Sequence, residues 1–398
     1  MKTKISILFL IIFYSVNSLN AQTDNYLLSK ISYQKKDYPK SLEYINAYLN
    51  QYPNSENAIL LNINILFQIK DYNKAIDNIL KISRNNDYYL MLARAFSGIN
   101  NTSKAVENMD LYLKTRNKKS EAEIKSFKEF DILFKNEAWV NLWKKDWYQK
   151  KEKILNDAEY AYSLKNYDEA ENIINELLDK YNKSYKAFYI RGLINFNKKN
   201  LKQALSDFES AINLNKKDIN LNLDYALCLV ELNKTKKAFE IYEDILKNDS
   251  TELKAFYGRA KLGLATNNLA NAQSDIEYYL QYYPDNEDVN YLAAQIDFKA
   301  GDFLSAIPKF GKLIKINPAK EEYFIGRANC YMKTETYKYA IFDYSMALDL
   351  NPKLSEVYYQ KANAHYKIGQ IEQACANWNY SYRYGNTECT KLIYKHCK

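Results

Sequence analysis

Along most of this chain a small residue opens an amphipathic stretch once every 34 residues, and that spacing restricts the fold more than any other feature. The recurring alanine stands at positions 170, 204, 238, 272, 306, 340 and 374. A large apolar residue follows four positions later and another apolar residue three beyond that, as in Ala204-Phe208-Ala211, Ala306-Phe310-Leu313 and Ala340-Tyr344-Ala347. These offsets fall on one stripe of an α-helix, so each stretch is a half-buried helix that needs a neighbour. A second small residue stands twelve positions before the anchor, at Gly192, Ala226, Ala260, Ala294, Ala328 and Ala362, and marks a first helix ahead of each second one. Composition agrees with this. Nine glycines and six prolines in 398 residues are too few for the turns of a many-stranded β protein, while 47% hydrophobic residues can build a helical core.

Proline twelve residues after the anchor, at Pro284, Pro318 and Pro352, stops the second helix because it lacks an N–H. The period, the paired small residues and these prolines together resemble the tetratricopeptide repeat, a helix-turn-helix family. The resemblance implies an all-α fold, an α-solenoid wound as a right-handed superhelix from about ten repeats in two arrays. Gly301-Asp302-Phe303 and Gly369 mark turns inside the hairpins, where a permissive backbone is needed. The N-terminal part carries the pattern more loosely, with anchors at Ser41, Ala75 and Ala105 and turns at Lys36-Asp37-Tyr38-Pro39 and Lys70-Asp71-Tyr72. The resulting division is three divergent repeats over 22–117, a helical aromatic-rich joint over 118–150, seven repeats over 151–386, and a capping helix over 387–398. In the joint, Phe127, Phe130, Phe134, Trp139, Trp143 and Trp147 follow one another. Tryptophans four apart are expected on one helix face, packed against the adjacent repeat.

Residues 1–21 read as a signal peptide: Lys2 and Lys4, an apolar run from Ile5 to Val16, then Leu19-Asn20-Ala21 before a cut preceding Gln22. The run is shorter than the roughly 20 residues a transmembrane helix requires, and no later segment qualifies. No cysteine precedes Cys228, so the chain is not read as a lipoprotein. The expectation is a periplasmic or secreted protein, so no nucleic-acid partner is expected. The formal charge of +8 falls to about +6 without Lys2 and Lys4, a mild excess that fits a solvated lysine face or an acidic partner.

Comparing the repeats with one another isolates scaffold residues. Arg191, Arg259 and Arg327 occupy the seventh repeat position, and each has an aspartate sixteen residues later: Asp207, Asp275 and Asp343. Arginine occurs at this place only together with the aspartate, which predicts three structural ion pairs, each bridging the two helices of one hairpin. Identical pairs spread along a solenoid do not converge on a catalytic cleft. Of five cysteines, Cys228 and Cys330 share the tenth repeat position and are expected as buried thiols. Cys375 starts the last second helix and Cys397 ends the capping helix, so a Cys375–Cys397 disulfide is expected, with Cys389 as the alternative partner. With His365 and His396 as the only histidines, no metal site is expected, and no catalytic residues or cofactor are indicated.

In the family this chain resembles, first helices line the ligand-facing groove. Positions 5, 9 and 12 of a first helix share a face. Position 5 carries Tyr189, Tyr257, Tyr291, Ile325 and Tyr359; position 9 carries Leu193, Lys261, Gln295, Asn329 and Asn363; position 12 carries Phe196, Leu264, Phe298 and Tyr366. Lys299, Lys333 and Lys367 follow at position 13. An aromatic groove with polar points and lysines suits a protein or peptide segment, acidic ones in particular. The leading reading is therefore a non-catalytic protein-interaction scaffold of the bacterial envelope. A carbohydrate- or peptidoglycan-binding module comes second, because tyrosines and amides also engage sugars. A hydrolytic enzyme comes third. The sequence leaves partner and oligomeric state open.

Overall fold

The structure, a computed structural model, describes residues 25–85, 87–115 and 118–397. The signal peptide expected at 1–21 lies outside the described residues. Among those described, every regular element is helical. Six helices form the opening pairs: α1 (25–34) with α2 (Tyr38–Gln51), α3 (Glu56–Gln68) with α4 (Tyr72–Ile79), and α5 (Tyr88–Gly98) with α6 (Thr102–Leu113). Short pieces follow: α7 (Glu121–Lys125), a 3-10 turn (Lys128–Leu133) and α8 (Glu137–Leu142). Pairing resumes with α9 (Lys150–Ser163) and α10 (Tyr167–Lys180), and with α11 (Tyr185–Asn197) and α12 (Leu201–Leu214); α13 (Ile219–Glu231) and α14 (Thr235–Asn248) come next in the chain. The last pairs are α15 (Leu253–Thr266) and α16 (Leu269–Tyr282), α17 (Glu287–Ala300) and α18 (Phe303–Ile316), α19 (Glu321–Lys333) and α20 (Tyr337–Leu350), α21 (Ser355–Lys367) and α22 (Ile371–Arg383), ending with α23 (Thr390–His396). The chain forms two compact units that divide within α13, one up to Cys228 and one from Leu229.

Helices so close in sequence must reverse sharply, and one backbone device does this throughout. The residue five positions before each anchor has a left-handed φ between 58° and 83°: Lys36, Lys70, Asn100, Lys165, Lys199, Asn233, Asn267, Gly301, Glu335 and Gly369. The next residue donates its N–H to the carbonyl five residues back, at 2.8–3.0 Å in every one of these turns. This is the Schellman closure, which satisfies a carbonyl orphaned at the helix end. The same next residue then caps the following helix, and the side chains of Asp37, Asp71, Asn101 and Asp302 accept from the amide three residues on. Only two of the ten positions hold glycine. At the others, lysine, asparagine or glutamate accepts the left-handed strain because the two-residue reversal admits no other path.

Past each turn, the anchor meets the first helix where bulk would not fit. Nine anchors are completely buried and Ala272 is 1% exposed. In the first pair both small positions are serines. Ser29 and Ser41 satisfy each other, each hydroxyl donating to the other's backbone carbonyl at 2.8 Å. At Gly192, midway along α11, an added Cβ would sit 2.7 Å from the Phe208 ring, so this crossing tolerates no larger residue without repacking. The short step from Ala75 to Ala105 reflects α4, which has 8 residues where most second helices have 14.

Three hairpins carry a bidentate arginine–aspartate bridge. Nε and Nη2 of Arg259 donate to the two oxygens of Asp275 at 2.8 and 2.7 Å, and Arg327 does the same to Asp343 at 2.7 and 2.8 Å. Arg191 binds Asp207 at 2.7–3.1 Å and also donates to Asn175 of the preceding repeat. The aspartates are buried and the arginines partly covered. Planar two-point pairing aligns the helices as well as neutralising the acid. The pair α17/α18 inverts the polarity: buried Asp297 on the first helix is met by Lys309 on the second. Burial raises the Asp297 carboxyl above the ordinary range, Lys309 offsets part of that, and Asp297 Oδ1 has no hydrogen-bond partner.

The aromatic joint differs from the single-face expectation. α8 ends at Leu142, so Trp143 lies at its C-cap and Trp147 beyond the helix, and the three tryptophans do not share one helical stripe. Helical spacing without enough residues to sustain a helix does not set a face. Trp139 is buried with Phe130, Leu133 and Leu142 against Met109 and Tyr112 of α6, and Trp143 and Trp147 pack on the edge of that cluster. Arg94 of α5 ties the joint down: its guanidinium sits between the Phe67 and Phe127 rings, 4.2 and 4.1 Å from their centroids, and pairs with Glu129 at 2.9 Å.

At the C-terminus, α23 lies on α22 and a Cys375–Cys397 disulfide joins them. Cys228, Cys330 and Cys389 are buried thiols outside that disulfide.

Three expectations follow. Nothing lies within 4 Å of a Cβ added at Gly301, so Gly301→Ala tests backbone strain alone and should lower stability by about 1–2 kcal/mol in urea unfolding. Arg259→Ala strands the buried Asp275 carboxylate and should cost about 3 kcal/mol, partly recovered by adding Asp275→Asn; an unchanged midpoint would remove the bridge from the list of stabilising contacts. Alkylation in denaturant should modify three cysteines before reduction and five after it.

Candidate peptide-binding groove

The first helices of the second unit pack side by side, α15 on α17 and α17 on α19, and leave one flank of each uncovered. A cavity of about 510 Å³ opens on this flank. Its wall is Leu264, Tyr291, Phe298, Phe310 and Ile325, and its polar points are Gln295, Lys299, Glu322 and Asn329. The register explains the assembly. Positions 5, 9 and 12 stack one turn apart on α17, and position 5 and 9 residues of α19 complete the far side. Phe310 enters from α18 because Gly326 leaves room for it: a Cβ on Gly326 would collide with that ring. Phe310, Glu322 and Gly326 were not among the positions selected from sequence. A glycine at position 6 opposite a large ring at position 24 is the signal that could have found two of them.

Backbone and buried groups fix the orientation of the polar points. Trp378 Nε1, which can only donate, bonds Asn363 Oδ1 at 3.1 Å, so the Asn363 amide must turn its NH₂ away from the hairpin interior. Asn329 is held the same way by the Tyr344 hydroxyl at 2.6 Å. Each amide thus offers donors on a mounting supplied by its own second helix. Tyr291 is half-buried against Phe310 and Tyr323, with ring centroids 6.3 and 5.2 Å away, and burial raises its hydroxyl pKa.

The remaining selected residues are placed differently. Tyr257 is half-buried beside Tyr279, at 6.3 Å, and burial raises its pKa too; Lys261 is exposed one turn on. Tyr359 packs on the Ala362–Trp378 cluster. Tyr366 is in contact with α23: its ring lies 4.8 Å from His396 and 5.6 Å from Trp378, leaving it 38% exposed. Tyr189, Leu193 and Phe196 belong to α11 in the first unit. The Tyr189 hydroxyl donates to Asp224 at 2.6 Å, and burial with that carboxylate raises its pKa. Among the described residues no group of three or more histidines, cysteines, aspartates or glutamates could hold a metal ion, and no helix is long and apolar enough to cross a membrane.

Comparison with known proteins finds the tetratricopeptide repeat profile over residues 155–219. A stretch of 101 residues is 30% identical to serine/threonine-protein phosphatase 5 of Rattus norvegicus, covering 25% of this chain and 20% of that one. Over 236 residues the chain is 27% identical to a TPR repeat-containing protein of Methanocaldococcus jannaschii, covering 57% of this chain and 37% of the relative. The chain therefore spans about a fifth of the phosphatase and under two fifths of the archaeal protein. Among solved structures, the C-terminal part of a TPR repeat-containing protein from Cytophaga hutchinsonii is 18% identical with a TM-score of 0.52, covering 61% of this chain and 99% of that one, a likeness of fold. Residues 155–219 thus match the tetratricopeptide repeat family, and the 34-residue register, the buried anchors and the consecutive helix pairs give the described chain the tetratricopeptide-repeat fold.

Proposed function

We propose that this protein is a non-catalytic interaction scaffold that binds a peptide or protein segment along the first helices of its second unit, one apolar side chain of the partner entering the cavity between α17 and α19. The observation that carries this reading is the cavity's construction, an apolar wall with the Asn329 amide at its rim turned outward by the buried Tyr344 hydroxyl. Tyrosine and phenylalanine supply contact area at low entropic cost, and Asn329, Asn363 and Gln295 supply donors for backbone carbonyls. At the rim, Lys299 and Glu322 balance one another, so an acidic preference rests on Lys333 and Lys367 further along. Work outside the cytoplasm is part of the proposal. The leader pattern and the Cys375–Cys397 disulfide support it, since disulfides persist in oxidising compartments.

A carbohydrate- or peptidoglycan-binding role has its own observation. Tyr358 stacks on Tyr380 and Tyr384 at 5.2 and 5.7 Å, and the latter two rings are exposed, a surface on which a sugar ring can lie.

Selection of a displayed random peptide library on the protein, followed by fluorescence anisotropy on enriched peptides, separates the readings. Peptides with a recurrent apolar residue should emerge, and the Gln295→Ala/Phe298→Ala double variant should weaken them by roughly tenfold or more with helicity unchanged. Failure to enrich any peptide, together with co-sedimentation on purified peptidoglycan that Tyr380→Ala and Tyr384→Ala abolish, would favour the sugar reading instead.

A further inference from the structure

The first unit contains a cleft that the repeat register does not announce and the groove does not use. It has a volume of about 720 Å³ and lies where the end of α6, the start of α9 and the start of α11 come together. Five lysines line it, Lys114, Lys118, Lys151, Lys183 and Lys186, against two carboxylates, Asp146 and Glu152. Both acids are already engaged. Asp146 pairs with Lys153 at 2.9 Å, and Glu152 takes Lys118 at 3.3 Å and the Gln149 amide at 2.8 Å. Lys114 is held by Asp110. Among the described residues, Lys151, Lys183 and Lys186 form no ion pair within 4 Å; Lys151 lies 5.7 Å from the Tyr181 ring centroid, and Lys186 offsets part of the burial that raises the Glu159 carboxyl, so the cleft keeps an excess of positive charge.

Directional donors stand beside that charge. α11 is thirteen residues long, and no side chain caps its opening amides. Ser184 occupies the N-cap place where a hydroxyl ordinarily accepts from the first turn, yet its side chain makes no such bond and has no other partner, although the residue is only 7% exposed. Ser184 lines the cleft, so its hydroxyl is available there as a donor. Free amides at a helix start attract negative charge, and three unpaired lysines around the same opening reinforce them.

We propose that this cleft binds a small phosphate-bearing ligand, with one phosphate on Ser184 and the opening amides of α11 and a second negative group met by Lys151, Lys183 and Lys186. The volume exceeds what a single phosphate fills and is in the range of small-molecule sites. The site is independent of the peptide groove, and either can fail without the other.

Pyrophosphate and inorganic phosphate are the probes, titrated calorimetrically into the whole protein at matched ionic strength with chloride as control. Pyrophosphate should bind saturably and about tenfold or more tighter than phosphate, because the second group reaches the lysines. Ser184→Ala and Lys183→Gln/Lys186→Gln should each weaken pyrophosphate by roughly tenfold while circular dichroism is unchanged. Should a variant fail to fold, acylation of the wild-type protein decides: pyrophosphate should protect Lys151, Lys183 and Lys186, and Lys202 on α12 should react as before. Equal or unsaturable binding of the two anions, binding indifferent to both variants, or lysine reactivity that pyrophosphate does not change would each overturn the proposal.

Discussion

The architecture depends on two helices approaching closely within a few residues of a chain reversal. Close approach requires a small side chain on each helix at the crossing, and reversal in so few residues requires one left-handed backbone position. The two demands are linked, since a fixed turn places the crossing at a fixed distance from it. Left-handed residue, cap and buried anchor therefore recur as one unit, and the unit survives replacement of glycine by lysine or glutamate and of alanine by serine. Where serine substitutes, the reciprocal Ser29–Ser41 bonds absorb the polar atoms that burial would otherwise leave unsatisfied.

Once the hairpin is set, neighbouring helices have to be kept in register, and this chain solves that with charge as well as packing. The arginine–aspartate bridges join the two helices of one repeat, and Arg191 extends the link to Asn175 of the repeat before it. Between repeats, carboxylates at helix starts do similar work: Glu287 accepts from Asn317 and Tyr323, and Glu321 accepts from Asn351 at 3.2 Å. Acids at the starts of α17 and α19 also oppose the positive end of the helix dipole, so one group serves two purposes. The same logic explains why charge is scarce within the cavity and concentrated at its rim.

The candidate sites lie where this regularity relaxes. Gly326 replaces bulk and admits Phe310 to the cavity floor; position 9 turns from leucine to amides that second-helix donors orient; and the joint after α6 brings lysines far apart in sequence around one helix start. Each departure leaves the turn and the anchor intact, which is why a repeat protein can vary its surfaces without losing its fold.

Sequence alone determined the elements, their order and the buried stripe, because a 34-residue period and the offsets within a helix are local properties that the chain carries openly. It also isolated residues such as Arg259 and Asp275, since a pair that recurs or is absent together betrays a contact. Tertiary structure decided which side chains are used up and which are presented. Tyr189 is bonded to Asp224, whereas Tyr291, its counterpart in the repeat, lines a cavity; Tyr366 packs on His396 of the capping helix, whereas its counterpart Phe298 lines that same cavity. Nothing in the period distinguishes them, because the distinction comes from neighbours supplied by other repeats. The left-handed lysines and glutamate, the broken helix around the tryptophans and the basic cleft were likewise beyond local reading, for each is set by residues that meet only after the helices have packed.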